Sequence, residues 1–300
     1  MSQTLTDNNI EINGVKYVRQ GSDFTRQKQQ ALDLIGDWLG DILRESDAIV
    51  AGGAILSIFT QTEVSDIDVY FRSREDLVRA FVLATKDWDN IYLGHTDKSI
   101  TIKDRTTDSI VQFIYFDYFN GAEEVFKAFD FTVCMAAIEL YNDKEPTLVL
   151  HPDFLVDVAS RTLHFNRGTR FPYISLIRTK KYQDKGYKIG KGHLLAIAAA
   201  CATRPITNWN EAKEQLGGVY GDAIQAEIDE HSEFSQDALD KVMTTIREHT
   251  HAIHSLEHDY EKAWYDLTGT TYGTDEAKNF GKVMAGEAIK KEKPLGELDF

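Results

Sequence analysis

Two acidic residues lie at a spacing that would let them share a cation. Asp66 and Asp68 flank a single isoleucine within an otherwise apolar segment. Side chains two positions apart on a β-strand point to the same face, so the two carboxylates converge if this segment is a strand. Such a pair repels unless a cation lies between its members. Mg²⁺ is commonly held by one or two carboxylates together with substrate phosphates and water. The pair therefore predicts a magnesium site.

A glycine pair precedes these acids and supplies the other half of the predicted site. Gly52 and Gly53 follow the apolar run 48–51, and twelve residues separate Gly53 from Asp66. Glycines let the backbone approach a phosphate closely, and a helix that begins there offers free N–H groups. Taken alone, Gly-Gly is often a simple turn and Asp-x-Asp a solvated strand face. Their order, from apolar strand to Gly-Gly, helix and acidic strand, favours a functional site.

Three stretches of the chain, together covering about residues 48–190, resemble one enzyme superfamily. Residues 49–71, IVAGGAILSIFTQTEVSDIDVYF, resemble the signature of the DNA polymerase β-like nucleotidyltransferases, in which Gly-Gly or Gly-Ser precedes Asp-x-Asp. Residues 130–137, DFTVCMAA, and 175–189, SLIRTKKYQDKGYKI, are similar to motifs of the branch that contains CCA-adding enzymes and bacterial poly(A) polymerases. The Phe-Asp-Phe-Thr-Val-Cys variant points to a divergent, bacteriophage-encoded relative.

The resemblance implies a fold and an activity. The fold is α/β, a polymerase β-like nucleotidyltransferase domain with a mixed sheet, followed by an α-helical domain. The activity is transfer of a nucleoside monophosphate from an NTP to an acceptor hydroxyl, with release of pyrophosphate and two Mg²⁺ ions as cofactors. The leading acceptor is an RNA 3′ end. The alternatives are a small molecule, a protein side chain, or a nucleotide-binding module without catalysis.

The resemblance also implies roles for individual residues. Asp66 and Asp68 would hold the metal, and Gly52 and Gly53 would cradle the phosphates. A third carboxylate is usual in the superfamily; Asp130 is the first candidate and Asp117 the second, although Asp130 is also placed to cap a helix. Arg178 and Lys181 match a basic pair that would contact the nucleotide. These assignments give the expected site as a list: Asp66, Asp68, Asp130, Gly52, Gly53, Arg178 and Lys181.

The sequence departs from the branch at three places. Ala128 and Phe129 stand where two arginines usually precede the Asp-Phe-Thr motif, and residues 55–57 replace the Val-Arg-Asp that usually follows Gly-Gly. The Glu-Asp-x-x-Arg motif that selects C or A is not visible. The resemblance therefore does not extend to the choice of base or to tRNA as the acceptor.

The elements that must position these residues can be predicted from local patterns. Residues 10–17 predict a hairpin around Asn13-Gly14. Periodic apolar residues predict a helix over 24–43. Ser73, with Asp76 three residues later, predicts a helix start. Strands are expected at 91–94, 100–103 and 110–116, whereas helical periodicity dominates beyond Pro152. We therefore expect an α/β domain over 1–155, a helical domain over 156–270 and a loose tail over 271–300.

The charge balance limits the partners. Lys and Arg number 33 against 48 Asp and Glu, which gives a net charge of −15. This argues against general nucleic-acid coating, which relies on clustered cations. Residues 161–191, however, carry nine Lys or Arg and one acid, Asp184. This segment is a natural place to receive an anion, and the alternative is a solvated basic face.

The remaining features predict a cytoplasmic protein without a membrane partner. Apolar runs such as 194–200 are shorter than the roughly 20 residues of a membrane span, and the amino terminus has no secretory pattern. Cys134 and Cys201 lie in apolar runs, which is typical of buried thiols in a reducing compartment. His251, His254 and His258 share one helix face; a polar stripe is favoured there over a zinc site. The oligomeric state is not predicted.

Overall fold

A mixed β-sheet forms the centre of the molecule. The computed structural model describes residues 10–12, 15–20, 24–86, 91–96, 98–104, 107–142, 144–216, 224–225, 228, 233–245 and 259–284. The strands are β1 (Ile10–Ile12), β2 (Val15–Gln20), β3 (Ile49–Ala51), β4 (Ile67–Tyr70), β5 (Tyr92–His95), β6 (Ser99–Lys103), β7 (Ile110–Ile114), β8 (Ala136–Glu139) and β9 (Thr147–Leu150). Within the described residues these nine strands pair in the order β1-β2-β9-β8-β3-β4-β7-β6-β5.

Strand β4, which carries Asp68, lies inside the sheet between β3 and β7. It pairs antiparallel with β3 and parallel with β7, which makes the sheet mixed. The register sets Asp68 opposite Ala51 on one side and beside Gln112 on the other. The strands expected at 91–94, 100–103 and 110–116 are confirmed as β5, β6 and β7.

Helices precede, interrupt and follow the sheet. Their bounds are α1 (Thr25–Ile35), α2 (Asp37–Glu45), α3 (Gly53–Thr60), α4 (Arg74–Thr85), α5 (Ala122–Ala128), α6 (Phe154–Ser160), α7 (Pro172–Asp184), α8 (Lys191–Ala202), α9 (Gln236–Thr245), α10 (Tyr260–Thr268) and α11 (Asp275–Met284). Residues 209–216 are also helical, and residues 132–134 form a short 3₁₀ turn. The α/β class with a mixed sheet followed by helices, expected from the sequence, is confirmed. A small parallel pair joins β10 (Thr162–Leu163) to β11 (Lys188–Ile189).

The expectation of one helix over 24–43 is wrong, because Gly36 divides it. Gly36 adopts φ 77° and ψ 161°, a conformation that L side chains disfavour, and its N–H donates to Leu32 O at 2.9 Å. The chain thereby ends α1 and restarts as α2. The helix start at Ser73 is confirmed, since Ser73 Oγ accepts from the backbone N–H of Asp76.

The two faces of the sheet carry different cores. Val50, Val69 and Phe71 pack in the main core with residues of α1, α2, α3 and α4. Ile49 and Tyr70, on the opposite face, pack in a second core with residues of α5. Because neighbouring residues on a strand alternate in direction, Asp68 shares the face that α5 covers in part.

The carboxy-terminal helices build a third core and also return to the sheet domain. Residues 206–242 contribute this core, which includes Trp209 and Leu239. Helix α10, by contrast, packs on α4: the Tyr260 and Trp264 rings lie 5.8 and 6.1 Å from the ring of Phe81. The main core also includes residues beyond 155, so the expected domain boundary at 155 does not coincide with a break in packing.

The expected loose tail over 271–300 contains a helix in its described part. Helix α11 buries Ala277, and a β-carbon at Gly281 would lie 3.8 Å from Val82 on α4. The tip of the predicted Asn13-Gly14 hairpin and the three histidines at 251, 254 and 258 lie outside the described residues, although β1 and β2 pair antiparallel as expected. None of the described helices is long and apolar enough to cross a membrane.

Candidate active site

The turn between β3 and α3 depends on glycine. Gly52 has φ 91°, and a β-carbon there would lie 3.5 Å from Phe129 Cζ and 3.6 Å from Asp68 Oδ2. The β-carbon itself would make ordinary van der Waals contacts, but the positive φ would strain any residue other than glycine. Gly53, the first residue of α3, is exposed and has open space at its β-carbon position. The start of α3 is therefore accessible beside Asp68.

The two predicted carboxylates lie at the start of β4, and both are half-buried. Asp66 immediately precedes the strand, where Ser65 Oγ lies 2.5 Å from its Oδ1, and Asp68 is the second strand residue. Burial and then the negative charge of Asp66 raise the pKa of Asp68 from 3.8 to about 7, although Arg178 and Lys181 oppose the rise. Burial and the proximity of the two acids therefore both disfavour the ionised form of Asp68, and two cations favour it.

Helix α7 turns a basic face toward these carboxylates. Arg178 and Lys181 are spaced by one turn, and the positive charges of both act on Asp68. Lys185, one further turn along, follows the helix. Burial and then Lys181 lower the pKa of Lys185, while Asp66 raises it. The structure therefore brings the predicted cations Arg178 and Lys181 into the neighbourhood of Asp66 and Asp68, and it adds Lys185, whose i+7 spacing was visible in the sequence.

Asp130 lies in the same cleft but is engaged with Arg178. Its carboxylate is nearly buried, and its Oδ2 lies 3.0 Å from Arg178 Nε. The guanidinium also donates through Nη2 to Tyr182 Oη at 3.3 Å and approaches Cys134 Sγ at 3.7 Å. Asp130 thus holds an arginine in the cleft, and the N-cap position of the following 3₁₀ turn belongs to Phe131.

The second candidate for a third carboxylate is placed differently. The Asp117 side chain is 51% exposed, and Arg170 Nη1 pairs with its carboxylate at 2.9 Å. No group of three or more His, Cys, Asp or Glu side chains suited to a metal occurs among the described residues. Asp66 and Asp68 are therefore the acids best placed to share a cation.

Aromatic side chains form the other wall of the cleft. Phe116, Phe129 and Phe171 line it with Tyr70 and Ile174, and the cleft encloses about 120 Å³. A lining that combines aromatic and charged side chains suits a ligand that has a flat apolar part and an anionic part, such as a nucleotide.

Two positioning residues carry no sequence signal. Gln112 lies beside Asp68 only because β4 and β7 pair in that register. The Asn166 side chain donates to Phe126 O, Lys127 O and Phe129 O, and it thereby closes the carboxy-terminal end of α5. Cys134 is buried, as predicted, and burial raises the pKa of its thiol; Cys201 is only half-buried.

The fold and the cleft define a class of site in which a strand-to-helix glycine turn, paired acids and a basic helix face meet. Comparison with known proteins finds a family match over part of the chain. Residues 25–161 match the family described as Gabija anti-defense 2 family protein. A protein named Gabija anti-defense 2, from Bacillus phage SPbetaL7, is 36% identical over 243 residues, which cover 79% of this chain and 56% of that protein. The chain therefore spans little more than half the length of this relative.

Solved structures of tRNA-processing enzymes are also similar to the chain. A complex of a CCA-adding enzyme with ATP gives a TM-score of 0.49 at 10% identity, covering 89% of this chain and 74% of the other. The Thermotoga maritima CCA-adding enzyme complexed with tRNA gives a TM-score of 0.44 at 11% identity, covering 83% and 68%.

Proposed function

We propose that this chain transfers a nucleoside monophosphate from an NTP to an acceptor hydroxyl in a metal-dependent reaction. One observation carries the proposal: Asp68, the accessible start of α3 and Arg178 of α7 line one cleft, and the charges of Asp66 and Lys181 act on Asp68 from beside it. In the reaction the acceptor oxygen bonds to the α-phosphorus, and the bond from that phosphorus to pyrophosphate breaks.

The two carboxylates fit Mg²⁺. Both offer hard oxygen donors, and the negative charge of Asp66 acts on Asp68, so a cation shared by the two would relieve their repulsion. Asp66 and Asp68 would hold the ion together with substrate phosphates. When bound, Mg²⁺ supplies charge stabilisation for the attacking and leaving oxygens of an in-line displacement. The proposed reaction uses two Mg²⁺ ions.

The other residues of the site would contact different parts of the nucleotide. The backbone at Gly53 would bind phosphate through N–H groups at the start of α3, and Gly52, whose own N–H donates to Ala136 O at 3.1 Å, would leave room for the phosphate. Arg178, Lys181 and Lys185 neutralise the remaining phosphate charge, which is the charge that pyrophosphate carries away. The aromatic wall excludes water from the base and sugar, and its flat rings suit stacking against a nucleobase.

An RNA 3′ end is the leading acceptor, and a small molecule or a protein side chain is the alternative. The experiment is to incubate the protein with each α-³²P-labelled NTP in the presence of total RNA, of a small-molecule extract, and alone. Label on RNA supports the first acceptor, and label on the extract or the protein supports the alternatives. Tight nucleotide binding without pyrophosphate release would instead indicate a non-catalytic module.

The relative from phage SPbetaL7 suggests the biological role. At 36% identity, we infer that this chain also counteracts Gabija defence and that nucleotidyl transfer is the means. Cells carrying Gabija should regain phage sensitivity when they express the wild-type chain. They should stay resistant when they express Asp66→Asn or Asp68→Asn at equal protein level. Restored sensitivity with either variant would separate the anti-defence role from catalysis.

A further inference from the structure

The Asp130–Arg178 pair joins two distant segments of the chain within the cleft. Both residues line the cleft with Asp68, and the two side chains come from segments 48 positions apart. Asp130 has 8% of its side-chain surface exposed, whereas Arg178 keeps 41%. The carboxylate is therefore fixed inside the protein, and the arginine reaches from it toward the open cleft.

The guanidinium is held by one ion pair and one hydrogen bond. Asp130 Oδ2 lies 3.0 Å from Nε, at ion-pair distance but without the geometry of a hydrogen bond, and Tyr182 Oη accepts a hydrogen bond from Nη2. Tyr182 is itself buried, and its ring packs 5.7 Å from the ring of Phe131. A guanidinium carries five N–H donors in a rigid plane. These two contacts restrict the position of the plane and leave further N–H donors for a phosphate oxygen.

The backbone that carries Asp130 is also fixed. Asn166 N donates to Asp130 O at 2.7 Å, and Asn166 Nδ2 donates to Phe129 O at 2.9 Å. A β-carbon at Gly168 would lie 2.7 Å from Lys127 O, so the 166–168 segment can approach α5 this closely only with glycine. This packing sets the position of the Asp130 carboxylate before any ligand arrives.

We propose that Asp130 is a positioning residue that orients Arg178 toward the transferred phosphate, and that it does not act as a third metal ligand. The inference rests on the proposed nucleotidyl transfer. An acid whose charge is matched by a guanidinium at 3.0 Å has little attraction left for a cation. Orientation matters most in the transition state, because interactions stronger there than in the ground state raise kcat.

The test uses Asp130→Asn, Asp130→Glu, Arg178→Gln and the double variant Asp130→Asn/Arg178→Gln, with Asp184→Asn as a matched control. Asp184 pairs with Lys180 on the exposed side of α7, at 2.5 Å. We expect Asp130→Asn to lower kcat about 10- to 100-fold, with the KM for NTP unchanged or lower because a freed Arg178 still attracts phosphate. Asp130→Glu should recover part of kcat, and Asp184→Asn should match the wild type.

Two readouts separate positioning from metal binding. In the Arg178→Gln background, Asp130→Asn should lower kcat by no more than about twofold, since residues that act through one another are non-additive. Mn²⁺ affinity, measured by electron paramagnetic resonance without nucleotide, should be unchanged in Asp130→Asn and weakened in Asp68→Asn. The proposal would be overturned if the two substitutions lowered kcat multiplicatively in the double variant. It would also be overturned if Asp130→Asn lowered Mn²⁺ affinity as Asp68→Asn does.

Failure of the proposed nucleotidyl transfer can be distinguished from failure of the proposed role of Asp130. If the wild type transfers no NTP to any acceptor, the catalytic assignment fails, and binding of a non-hydrolysable fluorescent ATP analogue then tests Asp130. The inference expects weaker metal-dependent binding in Arg178→Gln and equal or tighter binding in Asp130→Asn. Weaker binding in Asp130→Asn together with loss of Mn²⁺ would assign the residue to the metal.

Discussion

Gly52 lies in van der Waals range of the carboxylate of Asp68. A β-carbon at position 52 would stand 3.6 Å from Asp68 Oδ2, and the backbone there has φ 91°. The register of β3 and β4 creates this approach, because Ala51 pairs directly with Asp68. The backbone at the start of α3 and the carboxylate of Asp68 on β4 can thus contact the same ligand.

Gly52→Ala should therefore lower the free energy of unfolding by about 1–3 kcal/mol, the cost of holding an L residue in a sparsely populated conformation. Gly53→Ala is the matched comparison for stability, because its β-carbon would meet open space at the start of a helix. Urea denaturation of both variants checks this. Equal stability of the two variants would show that the positive φ at Gly52 is not a constraint.

Lys181→Ala should raise the KM for NTP about tenfold, because a hydrogen bond to a charged group contributes about 1.5 kcal/mol. The neighbouring Lys180, which pairs with Asp184 on the other side of α7, gives the control Lys180→Ala. The difference between the two variants should shrink as KCl rises, since salt screens exposed charges. Equal KM values for both variants would place Lys181 on a merely solvated face.

Asp68→Asn should change how stability depends on pH. The folded-state pKa of about 7 lies above the ordinary 3.8, so between these values the folded protein binds a proton that the unfolded chain does not. The contribution of Asp68 to the free energy of unfolding is then present at low pH and is lost as pH rises from about 4 to 7. The Asp68→Asn variant has no carboxyl group at this position, so its free energy of unfolding does not show this decrease.

In metal-free buffer, Asp68→Asn should gain up to about 4 kcal/mol relative to the wild type between pH 4 and pH 8, since the pKa of Asp68 is raised by about three and each pKa unit corresponds to about 1.4 kcal/mol. Mg²⁺ at pH 8 should raise the Tm of the wild type more than that of the variant. Thermal denaturation at several pH values measures both effects. A difference that is independent of pH would mean that Asp68 is ionised without penalty.

Asn166→Ala should destabilise the fold by about 1–3 kcal/mol, the cost of leaving buried carbonyl groups without a donor. It should also lower kcat, because the turn that carries Phe129 and Asp130 loses its support. Asn120→Ala is the control, since its exposed amide donates only locally, to Glu124. Chemical denaturation and pyrophosphate release are the measurements, and a variant as stable and active as the control would contradict the role of Asn166.

Local signals predicted the parts of the site that depend on short stretches of chain. The helix start at Ser73, the strand at Asp68 and the turn at Gly52 each follow from residues within a few positions. Gly36 was missed because a single glycine is tolerated in a helical pattern, and the pattern does not show where the chain must bend.

Contacts between distant segments could not be predicted in the same way. The sequence placed Asp130 and Arg178 in one site through family resemblance, but their ion pair depends on how α7 packs against the turn after α5. Gln112 acquires its place beside Asp68 from strand pairing, and Asn166 from a loop that folds back on α5. These relationships depend on tertiary packing, for which neither residue type nor spacing carries a signal.

The central claim is that Asp66 and Asp68 serve chemistry and not folding. The most direct measurement is pyrophosphate release from NTP by the wild type, Asp66→Asn, Asp68→Asn and the double variant, each first shown to be folded by circular dichroism. Each single variant should lose pyrophosphate release almost completely. The double variant should release no less than either single variant, because residues that act as one unit are non-additive. Near-normal turnover in either folded single variant would contradict it.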